Sequence, residues 1–191
     1  MTIRQLVCKM ITIRGNVNSE KRLSNTRRDD FAKDALNREN GGKFYMQLPI
    51  FEKYIDELIE KSTLDVPAWN IEKAREGKAA GWNYIDGCMI LALLEIYSAT
   101  GEKKYYEFAD AFIDHRVQED GTITKYSVEE YNIDNVNAGK TLFALYALNG
   151  KEKYRKAIDL IYSQVETQPR TAEGNFWHKK IYPNQVWLDG M

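Results

Sequence analysis

Cysteine is almost missing from this 191-residue chain, with Cys8 and Cys88 as its whole complement. Two isolated thiols exclude a disulfide framework and a thiolate metal cluster. Cys88, inside the apolar run 87–94, reads as a small buried hydrophobe. Histidine is just as scarce, and neither His115 nor His178 has ligand partners at a metal-binding spacing. Excess charge of one sign is also lacking: 27 basic and 28 acidic residues leave a formal charge of -1. That balance gives no electrostatic reason to expect nucleic acid or an anionic membrane as a partner. Long hydrophobic runs are absent too. The apolar patch at 6–13 is interrupted by Lys9 and followed by Arg14, so it is too short for a span and poor as a signal peptide. The expected location is cytoplasmic.

What is present is a globular composition, 43% hydrophobic and 29% charged, in a length suited to one ordinary domain. Residues 1–43 are polar and irregular and read as a tail or linker, with the folded domain at 44–191. Ile50, Tyr54 and Leu58 recur at helical spacing and predict an amphipathic helix over 49–61. Residues 65–80 read as a connection. The stretch 83–99 is apolar nearly all round and predicts a helix buried on most sides, closed by Gly101. A one-faced helix follows over 103–117, then a turn at Asp120-Gly121 and a β-prone stretch, 122–131, suited to a short ribbon. Residues 134–148, closed by Gly150, and 151–168 repeat the pattern of one buried and one half-exposed helix.

The repeat is visible residue by residue. Tyr97, Gly101, Lys104, Tyr105 and Asp110 recur as Tyr146, Gly150, Lys153, Tyr154 and Asp159, each pair 49 residues apart. A two-helix unit of that length belongs to a solenoid or a closed toroid of helical hairpins. The expected fold class is therefore all-α. Ile-Asp-Gly at 85–87 matches Leu-Asp-Gly at 188–190, and Asn132-Ile133-Asp134-Asn135 falls between them. Three successive inner helices thus start with an aspartate: Asp86, Asp134 and Asp189. An aspartate there can simply cap amides and complement the helix dipole. If the hairpins surround one axis, the inner-helix starts share a rim where Tyr84, Asp134, His178, Trp187 and Asp189 meet. The terminal stretch 174–191 carries two tryptophans, a histidine and a carboxylate. It suits either a site that stacks a sugar ring and moves a proton or an aromatic-rich packing segment with polar residues facing water.

The motifs W-N-Y-I-D-G at 82–87, Y-N-I-D-N at 131–135, Q-P-R-T at 168–171, N-F-W-H-K at 175–179 and Q-V-W-L-D-G at 185–190 resemble one known family. It is the unsaturated glycuronyl hydrolases, and within them the unsaturated rhamnogalacturonyl hydrolases of glycoside hydrolase family 105, related to family 88. The resemblance runs from about Trp69 to Met191. It implies a six-hairpin (α/α) toroid that removes the 4,5-unsaturated galacturonyl unit from pectin fragments of the rhamnogalacturonan type. By this resemblance Asp189 is the general acid and base and Asp134 the second carboxylate. Tyr84, His178 and Trp187 line the sugar site, and Lys179 meets the substrate's carboxylate. No metal or organic cofactor is implied.

The implied chemistry requires Asp189 to be protonated near neutral pH, well above the usual carboxylate range. A helix start works against that, while Asp134 and the wall of Trp187 work for it, so the two carboxylates are expected to titrate as a pair. At about fifty residues per hairpin, six hairpins need roughly 300 residues. The expectation is an incomplete toroid, about the first half, that is inactive alone or is completed by a separate C-terminal half or by self-association. A reading of a different kind is a non-catalytic helical-repeat module that binds sugar or a protein partner.

Overall fold

The computed structural model describes residues 48–187, and the tail expected at 1–43 lies outside them. Among the described residues seven α-helices follow one another: α1 (Leu48–Glu60), α2 (Ile71–Glu76), α3 (Tyr84–Thr100), α4 (Lys103–Asp114), α5 (Ile133–Ala138), α6 (Lys140–Asn149) and α7 (Glu152–Thr167). A 3-10 turn, Val128–Glu130, precedes α5. Helix α3 packs against α4, and α6 against α7, as two consecutive hairpins, with α3 also lying along α5 and α6. Their shared core is built by Ile90, Leu93, Phe112, Leu142, Leu145 and Ile161, all fully buried.

Local chemistry accounts for the helix limits. The side chain of Asn83 accepts the Asp86 amide at 2.9 Å and that of Asn132 accepts the Asp134 amide at 3.2 Å, so asparagine caps both inner helices. The aspartates therefore sit in the first turn without being the caps. At the other ends Gly101 and Gly150 turn left-handed, φ 75° and 69°, and each donates its amide to the tyrosine carbonyl four residues back at 2.8 Å. These are members of the 49-residue repeat, which is thus a repeat of geometry as well as of letters.

The structure departs from the sequence-based expectations at four places. The helix expected over 134–148 is divided at Gly139, where Leu142 and Gly139 form shorter-range backbone bonds and the Thr141 hydroxyl takes the Ala138 carbonyl at 2.8 Å. A Cβ at Gly139 would lie 3.0 Å from Ile161 of α7, so the break lets the outer helix come close. The ribbon expected over 122–131 is reduced to one isolated bridge, Val117 to Ile123, followed by the 3-10 turn. The connection at 65–80 contains the short helix α2. Lastly, Cys88 is exposed, since it shares a solvent-facing stripe of α3 with Ile85, Ala92 and Glu95 at helical spacing. The hydrophobicity of α3 therefore exceeds what its described neighbours bury.

The starts of α3 and α5 are locked side by side. The Trp82 indole donates to the Asn135 carbonyl at 2.8 Å. A Cβ at Gly87 would meet the Ala138 Cα at 2.6 Å, an approach only glycine allows. Asp86, beneath this contact, is buried and accepts from Trp69 at 2.9 Å, Asn83 at 2.7 Å and Asn70 at 3.5 Å. Its role is structural.

Candidate active site

Beyond α7 the described residues, up to 187, form no helix or strand. The path of the chain there is set by two buried glutamines one turn apart, Gln164 in the last turn of α7 and Gln168 at its C-cap. Gln164 donates to the Asn132 carbonyl and to the Gln168 side chain, both at 3.0 Å. Gln168 donates to the carbonyls of Tyr131 and Trp177, both at 2.8 Å. Two loops far apart in sequence, 131–132 before α5 and 177–178 after α7, are thereby held to the same point. Backbone bonds complete the seam: Ile133 donates to His178 at 3.0 Å, His178 to Gln185 at 2.7 Å, and Lys180 to Glu130 at 3.1 Å. Buried amide side chains with full sets of partners fix such loops without any hydrophobic periodicity.

Held in this way, four of the sequence-predicted residues converge. Asp134, in the first turn of α5, has its Oδ2 3.0 Å from Lys179 Nζ and 3.7 Å from His178 Nε2. His178 is buried and its ring lies flat on Trp187, with centroids 3.8 Å apart and planes 5° from parallel. Trp187 remains 44% exposed, so much of the indole is open to a ligand. Tyr84, the first residue of α3, is 47% exposed on the rim that α3 and α5 share. Asp189 lies outside the described residues, two positions beyond Trp187.

Three features of the site go beyond the sequence-based expectations. Lys179 makes an ion pair with Asp134, so a substrate carboxylate at this lysine would share its charge with Asp134. The pair also sets a cation beside the carboxylate that was expected to keep Asp189 protonated. Tyr182 adds a third ring to the stack, within 15° of parallel to both neighbours, its centroid 6.4 Å from His178 and 6.0 Å from Trp187. Gln185 clamps the group, because its carbonyl takes the His178 amide and its side chain accepts the Trp187 indole at 3.2 Å. Tyr182 sits in an irregular loop where no spacing rule could have singled it out. Gln185 had a signal in the Q-V-W motif.

The described structure is thus an all-α array of helical hairpins with an aromatic and carboxylate site where inner helices begin, the architecture of an (α/α) toroid fragment. The family model for Glycosyl Hydrolase Family 88 matches residues 54–191, and the chain belongs to that family. Among solved structures it is similar to a glycoside hydrolase from family 105 of C. acetobutylicum, with 40% sequence identity and a TM-score of 0.61. The match covers 72% of this chain and 35% of that one, so the chain spans about a third of the length of that relative. Among the described residues no helix is long and apolar enough to cross a membrane.

Proposed function

We propose that the protein acts on 4,5-unsaturated galacturonyl units at the ends of rhamnogalacturonan-type pectin oligosaccharides, hydrating the vinyl ether double bond. The observation that carries this reading is the convergence of Asp134, His178, Lys179 and the open Trp187 indole at one helix start. A flat aromatic face suits the sugar ring, and a cation suits its carboxylate. In the proposed reaction the Asp189 carboxyl gives its proton to C4, leaving an oxocarbenium-like centre at C5. Water adds at C5 and returns a proton to the Asp189 carboxylate, and the resulting hemiketal opens and releases the leaving sugar. Asp134 holds the second carboxylate position, while Tyr84, His178, Trp187 and Lys179 orient the ring. The site residues belong to this proposal, as does the reading of 44–191 as the N-terminal half of an (α/α)6 hydrolase domain. So does a cytoplasmic location, supported by Lys9 inside the N-terminal apolar patch.

The test follows the ultraviolet absorbance of the vinyl ether on incubation of the 191-residue chain with an unsaturated galacturonyl disaccharide, alongside Asp189→Asn. Loss of absorbance that depends on Asp189 supports the reading. Quenching of tryptophan fluorescence without absorbance loss would instead indicate a sugar-binding module without turnover. Neither signal would overturn both.

A further inference from the structure

The loop that carries the aromatic wall is built to present Tyr182. Tyr182 donates its amide to the Lys179 carbonyl at 3.0 Å, and Gln185 donates its amide to the Tyr182 carbonyl at 3.2 Å. Between Tyr182 and Gln185 stand Pro183, whose ring fixes its own φ, and Asn184, which turns left-handed at φ 60°, the combination a type II turn uses. Two consecutive turns thus occupy both polar groups of the Tyr182 backbone. The second turn also sets Gln185, which holds the His178 amide and the Trp187 indole.

The Tyr182 ring lies 11° from the plane of His178 and 15° from that of Trp187, but its centroid is 6.4 Å and 6.0 Å away from them, against 3.8 Å between those two. These are the separations of an offset ring and not of an overlaid one. Together they put Tyr182 beside the His178–Trp187 pair, at a level between its two planes. Tyr182 therefore widens the wall by one ring without covering the indole. It is 37% exposed and forms no part of the hydrophobic core. A ring held parallel to its neighbours yet left in water offers an apolar face that suits the C–H face of a sugar, with a hydroxyl at its edge for a polar partner.

We propose that Tyr182 bears the leaving sugar and so selects a cyclic leaving group over a small alcohol. The inference rests on the proposed function, in which the unsaturated unit lies on Trp187 with its carboxylate at Lys179. In that unit C4 belongs to the double bond and carries no oxygen, so the chain continues from it through C1, to the leaving sugar. The sugar that reaches the next ring of the wall is therefore the one that departs. Tyr182 touches no reacting atom and acts on specificity, by holding the leaving sugar in line with the unit beside Asp134.

The test compares two ligands, an unsaturated galacturonyl disaccharide and the methyl glycoside of the same unsaturated unit, on the wild type, Tyr182→Leu and Tyr182→Phe. Calorimetric titration gives Kd, and loss of the vinyl ether absorbance gives kcat/KM. Tyr182→Leu keeps an apolar side chain but loses the flat ring, while Tyr182→Phe keeps the ring. The expected result is a preference of the wild type for the disaccharide that falls about tenfold in Tyr182→Leu, with the methyl glycoside unchanged, and that persists in Tyr182→Phe. Where the chain binds without turnover, the ratio of the two Kd values decides. A wild type with no preference for the disaccharide, a leucine variant that loses equally on both ligands or on neither, or a phenylalanine variant that loses as much as the leucine one overturns this inference and leaves the proposed function standing. A wild type that neither binds nor converts either ligand overturns both.

Discussion

The His178 imidazole and the Trp187 indole lie face to face, centroids 3.8 Å apart and planes 5° from parallel. Eight residues of irregular chain lie between them, and Gln185 closes the loop by holding the His178 amide and the Trp187 indole together. The pair gives the site a rigid flat wall whose outer part is open to solvent.

Trp187→Ala removes this wall. Under the proposed function KM for the unsaturated disaccharide should rise about tenfold, about 1.4 kcal/mol of lost stacking, with a smaller change in kcat. Trp187→Phe should recover much of the loss. Steady-state kinetics on the three proteins checks this, and an unchanged KM in the alanine variant would remove Trp187 from the sugar site.

The two charges beside the site should move the pH-rate profile in opposite directions. Lys179→Met takes away a cation that favours nearby anions, so the proposed acid Asp189 is protonated to higher pH and the alkaline limb shifts upward. Asp134→Asn takes away a neighbouring anion and shifts that limb downward. Asp189→Asn should cost about 10² to 10⁴ in kcat at every pH. Superimposable profiles for the Lys179 and Asp134 variants would contradict the electrostatic account.

Gln168 donates to two carbonyls from separate loops while buried. Gln168→Leu leaves both carbonyls without that donor and should destabilise the fold by about 2 to 3 kcal/mol. The loss should be local as well as global, with faster amide exchange over 131–134 and 177–179. Thermal unfolding and hydrogen exchange measure the two effects separately.

Asp114 couples α4 to the start of α7. Burial alone would raise its pKa, but hydrogen bonds from Lys151 and Lys153 outweigh burial and hold it below the ordinary carboxylate range. A depressed folded-state value stabilises the protein above the unfolded carboxylate pKa, and that stability is lost as pH falls through the folded value. Because the side chain is 38% exposed, solvent screening limits the effect to about 0.5 kcal/mol. Melting temperatures of wild type and Asp114→Asn should therefore differ at neutral pH and converge under acid conditions.

Much of the helical framework is legible in the sequence. The expected helix over 49–61 is α1, that over 83–99 is α3 with its cap at Asn83, and the glycines at 101 and 150 end helices as expected. Asp86 and Asp134 do lie in first turns of their helices, although asparagine does the capping, and Asp189 lies outside the described residues. The misread places have physical causes in common. Gly139 divides a helix where Ile161 of α7 comes close, and Cys88 lies on the solvent-facing stripe of α3, a side that apolar letters alone do not reveal.

The sequence by itself determined the all-α class, the 49-residue hairpin repeat and the motifs of the family, because helix periodicity, glycine caps and short motifs are properties of neighbouring residues. Only the tertiary structure decided that Asp134 meets His178 and Lys179, that Tyr182 joins the aromatic stack, and that Gln164 and Gln168 hold these loops in place. The contacts of Asp134, and those of the glutamines to the loop before α5, join residues tens of positions apart, and the ring stack forms within an irregular loop; side-chain hydrogen bonds and ring packing of either kind leave no periodic trace in the chain.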